Sequence, residues 1–302
     1  MAVSASAPGK FNLYLGVGPL RSDGFHDLAT VFQAVSLRET VTVTESSTLS
    51  CEFSGPLDVS EIPLGPRNLV IRAAQAIADA TGYSGGVHIA VDKRVPIAGG
   101  MGGGSADAAA ALAAVNELWG TGLDDSELLR LAADLGSDVP FAFRGGTAVG
   151  LGRGDELHDV PDSAVFQWVL VMSDRGLSTP DVYRRLDELR EARTPGGSVT
   201  APAAQVPTGL RDALNSGDAV RVAALVHNDL QEAAVSLQPE LADTLAWGES
   251  RGALRGIVSG SGPTTAFLMA DAEQAAALAA AFTARGQRAL AVQSPVPGVR
   301  QP

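Results

Sequence analysis

The sequence predicts a mixed protein of α+β or α/β class that is built from two domains. A length of 302 residues favours two domains over one. Period-two strand patterns are mixed with capped helical patterns in both halves of the chain. The composition changes near residue 160, and a new buried-strand pattern follows. We therefore expect one domain over residues 1–160 and a second over residues 161–302.

The first half combines alternating strands with three punctuated helices. Two segments, Thr40–Glu45 and Gly86–Asp92, alternate with period two, and Val87, Ile89 and Val91 share one face of the second. The three helices are predicted from their cap and stop residues: Asn68 to Gly82, Asp107 to Trp119 before Gly120, and Asp124 to Gly136, with Asp124 and Glu127 at capping-box spacing. The glycine-rich residues 145–157 predict a strand with turns.

The second half opens on "FQWVLVMS", a buried-strand pattern over residues 166–173. Residues 194–207 are rich in Pro, Gly and Ala, which predicts a flexible connector. The remaining expected elements are a helix over 219–230, a helix over 239–251, a strand–turn–strand over 254–269, a helix over 272–285 and a strand over 288–293. No internal repeat is visible in the sequence.

Composition and charge exclude several classes of function. There are 22 basic and 34 acidic residues, a formal charge of −12, and no Lys/Arg cluster that could follow a nucleic-acid backbone. No apolar run approaches the roughly 18 residues that a membrane span needs, and the N-terminus lacks a secretory pattern. Cys51 is the single cysteine, so no intrachain disulfide can form. We expect a cytoplasmic monomer or weak homodimer without nucleic-acid or membrane partners.

The stretch "PIAGGMGGGSADAAAAL", residues 96–112, places five glycines immediately before a helix. It is neither a P-loop, because Ser105 and Ala106 follow Gly104, nor G-x-G-x-x-G, because Ser105 takes the third position. Glycine nevertheless lets backbone amides approach an anion, and a helix start adds a dipole of about half a positive charge. In an acidic chain these amides can supply local positive potential. We predict a polyphosphate site; a flexible surface loop is the alternative.

Three further stretches offer candidate side chains. Lys10, one of two lysines in the chain, and Asn12 alternate in "APGKFNLYLGV" and so share one face of a predicted strand, which could also be an ordinary solvated face. Asp138 follows the helix stop and either caps the next turn or presents a rigid carboxylate that accepts a proton from a substrate hydroxyl. A second glycine turn, "VSGSGPTT", is a weak signal alone.

Taken in order, these segments resemble the GHMP kinase superfamily. The resemblance rests on "APGKFNLYLGV", the glycine stretch and "VSGSGPTTAFL", while "RSDGFHDL" and "GSDVPFAF" are similar to the branch that acts on 4-diphosphocytidyl-2-C-methyl-D-erythritol. It implies an N-terminal domain like ribosomal protein S5 and a C-terminal ferredoxin-like α/β domain. It also implies transfer of the γ-phosphoryl of ATP, with Mg²⁺, to the 2-hydroxyl of that small molecule, in the non-mevalonate route to isoprenoid precursors.

The resemblance also implies roles for individual residues. Asp138 would be the general base, and Lys10 would orient the hydroxyl and stabilise charge; phosphoryl transfer depends mainly on such positioning. No carboxylate identifies itself as a metal ligand. The ATP loop would comprise Pro96, Ile97, Ala98, Gly99, Gly100, Met101, Gly102, Gly103, Gly104, Ser105 and Ala106.

The acceptor site is expected to involve both domains. By resemblance, Asn12 binds the substrate, His26 hydrogen-bonds the cytosine edge, and Phe25 and Tyr183 stack on its faces. Thr179 lies near the methylerythritol or the diphosphate, and the turn over residues 260–262 closes against the substrate. Phe25 stands where the family often has Tyr, so the ring is kept and a hydroxyl is lost.

Two other functions compete with this interpretation. Another GHMP kinase, of homoserine or mevalonate type, would keep the ATP loop but has no reason to hold the R-x-D-G-F-H segment. A nucleotide-binding regulator without phosphoryl transfer would not need both Lys10 and Asp138. The density of glycine loops argues against a purely structural protein.

Overall fold

The fold was analysed in a computed structural model, which describes residues 1–161, 164–193 and 204–301. Its strands form two sheets, and the mixed α and β class is confirmed. The strands are β1 (Ala2–Leu20), β2 (His26–Ser46), β3 (Ser50–Ser54), β4 (Gly86–Asp92), β5 (Thr147–Leu151), β6 (Glu156–Val160), β7 (Phe166–Met172), β8 (His227–Asn228), β9 (Arg255–Val258), β10 (Thr265–Met269) and β11 (Arg288–Ser294).

Ten helices cover these sheets within the described ranges. The bounds are α1 (Leu69–Thr81), α2 (Gly103–Trp119), α3 (Asp125–Leu135), α4 (Val139–Arg144), α5 (Thr179–Arg193), α6 (Leu210–Ser216), α7 (Ala219–Leu225), α8 (Gln231–Leu237), α9 (Glu240–Ser250) and α10 (Ala272–Ala284). Not one of these described helices is long and apolar enough to cross a lipid bilayer.

The first sheet runs in the order β3-β4-β2-β1-β8, with β5 between β2 and β6 at one end. The long strands β1 and β2 are antiparallel and form its centre. The second sheet has the antiparallel order β11-β7-β10-β9. Sheet membership thus changes between β6 and β7, although β8 returns to pair with β1 in parallel. The domain boundary at residue 160 stays a prediction.

Helix α2 lies at the centre of the first half, packed against β1, β2 and α1. Its run of alanines is buried on all sides rather than along one stripe. Small side chains allow this close approach, because methyl groups leave room for backbone on both the sheet side and the helix side. The helix therefore has a fixed position relative to β1, and its N-terminus opens at the glycine loop.

Several local predictions are confirmed in detail. Asn68 caps α1 through its side chain, which accepts the amide of Val70, and Gly82 ends that helix in the left-handed conformation. Asp124 and Glu127 form the capping box of α3. The face of β4 that carries Val87, Ile89 and Val91 is buried.

Two helix predictions were wrong. Helix α2 begins at Gly103, not at Asp107, because Gly102 turns the chain at a φ of 67° and the following glycines continue into the helix. The single helix expected over 219–230 is interrupted after Leu225: the chain extends into β8, where the Asn228 side chain donates to the carbonyls of Val258 and Gly260. Of the connector predicted over 194–207, residues 194–203 lie outside the described residues.

The capping box of α3 provides a test of local stability. The amide of Glu127 donates to Asp124 Oδ1 at 2.9 Å, and the amide of Asp124 donates to Glu127 Oε2 at 2.9 Å. We expect Asp124→Ala to lower the free energy of unfolding by about 1 kcal/mol, because the amide of Glu127 loses its acceptor. Asp125→Ala makes the same charge change in the same turn and should cost less. Equal decreases in the free energy of unfolding for the two variants, measured by urea denaturation, would contradict the capping role of Asp124.

Candidate active site

One cleft of about 830 Å³ collects most of the predicted site residues. It is lined from both halves of the chain, by β1 and β2, the glycine loop, the start of α4, α5 and the C-terminal glycine turn. The predicted residues on its wall are Lys10, Asn12, Pro96, Ile97, Ala98, Gly99, Gly100, Met101, Gly102, Gly103, Gly104, Asp138, Thr179 and Tyr183. Ser105, Ala106, Phe25 and His26 do not line it.

Lys10 is held by its backbone and by its side chain. Its amide donates to the carbonyl of Met101 at 3.0 Å, which ties β1 to the glycine loop. Its Nζ lies 3.4 Å from Asp138 Oδ2 and 4.9 Å from the centre of the Phe32 ring. The side chain is only 11% exposed, so the ammonium is held among these neighbours.

The orientation of Asn12 follows from a directed chain of hydrogen bonds. The Thr30 hydroxyl donates to the carbonyl of Tyr14 at 2.7 Å, so its oxygen accepts from Asn12 Nδ2, also at 2.7 Å. This leaves Asn12 Oδ1 to accept from Lys10 Nζ at 3.1 Å. All three polar side chains are buried. Asn12 therefore helps to fix the position of the Lys10 ammonium.

Asp138 is the N-cap residue immediately before α4, yet its side chain makes no capping hydrogen bond to any residue that the structure describes. Its carboxylate instead approaches Lys10 and keeps 31% side-chain exposure. The capping alternative from the sequence is therefore wrong. The carboxylate is fixed by the helix start, faces the cation and remains accessible from the cleft.

The glycine loop turns sharply into α2. Gly100 and Gly102 have φ angles of 75° and 67°, which glycine adopts without steric cost. A Cβ on Gly102 would lie 3.2 Å from Lys10 Cγ, so the loop approaches the lysine closely. Gly102 offers α2 no capping side chain. Among the described residues no side chain caps the first-turn amides of α2, and uncapped amides at a helix start are the arrangement that binds an anion.

The C-terminal glycine turn closes on this loop from the second half of the chain. Ser259 Oγ donates to the carbonyl of Gly100 at 3.1 Å, and Ser261 Oγ lies 2.8 Å from Thr179 Oγ1. A Cβ on Gly100 would stand 2.1 Å from the carbonyl oxygen of Ser259. The sequence indicated the glycines of this turn but not the two serines, since a serine beside glycines has no distinguishing pattern.

The residues predicted to hold a nucleobase are only partly assembled. The rings of His26 and Tyr183 are 5.2 Å apart, and His26 Nε2 lies 3.0 Å from Asp187 Oδ1. Burial, and secondarily the charge of Asp138, raises the pKa of Tyr183 to about 12, so its phenol stays neutral at physiological pH. Phe25 is 53% exposed, with the guanidinium of Arg153 5.2 Å from its ring centre. His26 thus contacts Tyr183 on the side away from the cleft, which His26 does not line. The nucleobase-binding roles of Phe25, His26 and Tyr183 stay predictions.

The opposite end of the cleft was missed by the sequence analysis. Beyond the glycine loop the cleft continues between the β3–α1 connection and the start of α1. Asn68, predicted only as a helix cap, also donates to the carbonyl of Pro63 at 2.7 Å and so shapes this wall. A proline-containing connection before a capped helix was the available signal. The additional lining residues are Phe53, Asp58, Glu61, Ile62, Pro63, Arg67, Asn68 and Leu69.

No described group of three or more His, Cys, Asp or Glu side chains is arranged to hold a metal ion. Lys10 and Asp138 are one cation and one carboxylate, and they neutralise each other. The geometry can therefore bind an extended anion along the loop and place a hydroxyl between an ammonium and a carboxylate at one end of it.

Two family descriptions match the chain. "GHMP kinases N terminal domain" matches residues 68–146, which contain the glycine loop and Asp138. "GHMP kinases C terminal" matches residues 210–288, which contain the glycine turn with Ser259 and Ser261. The two matched segments together cover just over half of the chain.

The chain is also similar to individual proteins over nearly its whole length. A relative from an Arthrobacter species, named 4-diphosphocytidyl-2-C-methyl-D-erythritol kinase, is 54% identical over 304 residues, covering 99% of this chain and 94% of the relative. One of the same name from Clavibacter michiganensis subsp. michiganensis is 50% identical, covering 99% and 96%. A crystal structure of 4-(cytidine 5'-diphospho)-2C-methyl-D-erythritol kinase has a TM-score of 0.78 at 31% identity, covering 97% and 99%.

The contact between the two glycine turns can be tested at Gly100. We expect Gly100→Ala to lower the free energy of unfolding more than Gly120→Ala does. Both positions have positive φ, which costs about 1–2 kcal/mol with a side chain. Only Gly100 also meets a carbonyl at 2.1 Å, whereas a Cβ on Gly120 meets nothing described within 4 Å. Similar losses for the two variants in urea denaturation would show that the turns are not in close contact.

Proposed function

This chain belongs to the GHMP kinase family, and on that premise we propose that it transfers the γ-phosphoryl group of ATP to the 2-hydroxyl of 4-diphosphocytidyl-2-C-methyl-D-erythritol. The proposal takes the acceptor from relatives about 50% identical over 99% of the chain. This reaction is a step in the non-mevalonate route to isoprenoid precursors. We also propose that the enzyme is cytoplasmic, where a chain with a single cysteine needs no disulfide.

The observation that carries this proposal is the 3.4 Å approach of Lys10 Nζ to Asp138 Oδ2 beside the glycine loop. Asp138 accepts the proton of the attacking hydroxyl, because its carboxylate is accessible from the cleft and Lys10 is the one cation that it contacts among the described residues. Lys10 orients the same hydroxyl and stabilises the charge that develops on the transferred group. Asn12 fixes the Lys10 ammonium, from which its Oδ1 accepts a hydrogen bond, and it would bind the acceptor beside these two residues.

The ATP lies along the cleft with its phosphates on the loop. Residues 96–106 carry the triphosphate on loop amides and on the N-terminus of α2. The nucleoside then falls in the section lined by the β3–α1 connection and Asn68, since the other end of the loop opens on Lys10 and Asp138. Nothing in the described residues forms a carboxylate cage, which fits a Mg²⁺ ion held mainly by phosphate oxygens and water. When bound, that ion supplies charge neutralisation at the phosphates.

The acceptor enters from the side of Tyr183 and Thr179. Tyr183 is a neutral aromatic ring on the cleft wall and offers a stacking face for the cytosine. Thr179, linked to Ser261, lies where the diphosphate or the methylerythritol would pass. His26, oriented by Asp187, would hydrogen-bond the cytosine edge, and Phe25 would cover the other face from the tip of the β1–β2 hairpin.

The acceptor can be tested by direct comparison. The protein is incubated with Mg²⁺ and ATP together with the cytidyl substrate, homoserine or mevalonate, and ADP release is measured. We expect turnover with the cytidyl substrate at least tenfold above the others. Preference for homoserine or mevalonate would contradict the proposed acceptor but not the kinase activity. ATP binding without turnover on any of the three acceptors would favour a nucleotide-binding regulator.

Asp138→Asn tests the general base. It removes the proton acceptor with almost no change in volume, so we expect kcat to fall by about 10²–10⁴-fold with little change in the KM for ATP. Asp134→Asn makes the same substitution at an exposed position of α3, four residues earlier, and should keep the kinetics of the natural sequence. Undiminished kcat in the Asp138 variant would remove the base assignment.

A further inference from the structure

Three charged side chains that the reaction does not use lie buried together beneath the glycine loop. Lys93 Nζ donates to Glu39 Oε1 and to Asp107 Oδ2, both at 2.6 Å. Lys93, Glu39 and Asp107 are 3%, 0% and 4% exposed. They come from three different elements: the residue after β4, the middle of β2 and the second turn of α2. We call these three side chains the loop clamp.

The loop clamp holds both ends of the glycine loop. Lys93 and Asp107 flank residues 94–106, so one ammonium connects the entrance of the loop to its exit. Glu39 reinforces the entrance, because its Oε2 accepts from the amide of Arg94 at 2.7 Å and its Oε1 from the amide of Val95 at 3.2 Å. A Cβ added at Gly103 would lie 3.0 Å from Lys93 Nζ and 3.2 Å from Glu39 Oε1. The clamp therefore lies directly under the first residue of α2.

Stability alone is a poor reason for this cluster. Two carboxylates and an ammonium lose their hydration when buried, and apolar residues of the same volume often serve a fold equally well. Moreover, the charges do not balance. Two carboxyl groups share one ammonium, and Asp107 Oδ1 has no hydrogen-bond partner among the described residues. Asp107 and Lys93 both line the cleft, so the imbalance lies next to the bound phosphates.

We propose that the loop clamp positions the glycine loop for ATP binding, and that one of its two carboxyl groups is protonated when nucleotide is bound. The proposal rests on the proposed function only in that residues 96–106 bind the ATP phosphates. With a proton on one carboxyl the clamp is neutral. Without that proton it places a net negative charge beneath the same amides that attract the triphosphate.

The electrostatic surroundings of Glu39 support such a proton. Burial, and secondarily the charge of Asp107, raises the pKa of Glu39 to about 7 against the opposing effects of Lys93 and of the Arg94 amide. Burial also raises the pKa of Asp107. Among the described residues, Lys93 and Asp107 are the charged groups that face Glu39. Arg94 turns outward to Asp92, and Arg38 binds Ser6 and the carbonyls of residues 297 and 298.

The direction of the pH effect follows from these charges. Below pH 7 the clamp is protonated and neutral, and ATP binds most tightly. As pH rises through 7 the proton is lost, the net negative charge appears and ATP affinity falls. A unit charge beside a polyanion near a protein surface changes affinity by about tenfold. Binding of Mg-ATP above pH 7 should therefore take up a proton.

Calorimetry of Mg-ATP binding without any acceptor tests this proposal. Titrations at pH 6.0 and 8.5 give the Kd, and buffers of different ionisation enthalpy at pH 7.5 give the proton uptake. For the natural sequence we expect Kd to rise about tenfold with pH, together with uptake of at most about one proton. Asp107→Asn leaves one carboxyl opposite one ammonium, so its Kd should be flat across this range and its proton uptake close to zero.

Glu39→Gln distinguishes positioning from charge. It also removes one carboxylate and should abolish the proton uptake, but its single acceptor oxygen cannot serve both loop amides and Lys93. We expect its Kd to be several-fold weaker than that of Asp107→Asn at every pH. Glu117→Gln, an exposed change on the same helix, is the matched control and should keep the tenfold rise.

Two results would overturn the proposal. The first is a natural-sequence Kd that does not change with pH, and the second is an Asp107 variant that keeps the full proton uptake. A lower melting temperature in the variants with unchanged nucleotide binding would also overturn it, because the clamp would then be merely structural. Since no acceptor is present, failure of the proposed acceptor would leave these readouts intact.

Discussion

The proposed active site depends on the contact between β1 and the glycine loop at Lys10. One residue makes both connections: its amide binds the carbonyl of Met101, and its ammonium approaches Asp138. The glycine loop, the Lys10 ammonium and the Asp138 carboxylate therefore have fixed relative positions, although they are separated by up to 128 residues in sequence. Phosphoryl transfer asks a protein mainly for such positioning. A chain with a formal charge of −12 meets the demand with the Lys10 ammonium and with exposed backbone amides.

The rest of the fold serves this arrangement at two places. The alanine-rich α2 can pack against β1, β2 and α1 at once, which fixes the position of its N-terminus at the glycine loop. Its N-cap residue, Gly102, has no side chain that could occupy the first-turn amides. The C-terminal glycine turn is held by Asn228 and reaches Gly100 through Ser259. One half of the chain thus provides the proposed phosphate site and the other half closes on it, so both halves line one cleft.

Much of this could be predicted from sequence, because local rules governed the outcome. The caps of α1 and α3, the buried face of β4 and the shared face of Lys10 and Asn12 follow from spacing alone. Three features depended on distant partners and were missed or misjudged. The break before β8 arises because Asn228 binds the carbonyls of the glycine turn. The loop clamp joins residues 39, 93 and 107, which are distant in sequence. The Asp138 carboxylate approaches Lys10 instead of capping its own helix. Neither contact leaves a local pattern in the sequence.

The most direct test of the account is a double-mutant cycle between Lys10 and Asp138, measured as kcat with saturating ATP and acceptor. If the two side chains act on one hydroxyl, Lys10→Met combined with Asp138→Asn should be about as slow as the slower single variant, because each change already disables the shared step. Multiplicative losses, with the double variant slower by the product of the two single effects, would mean that the ammonium and the carboxylate act independently and would contradict the account.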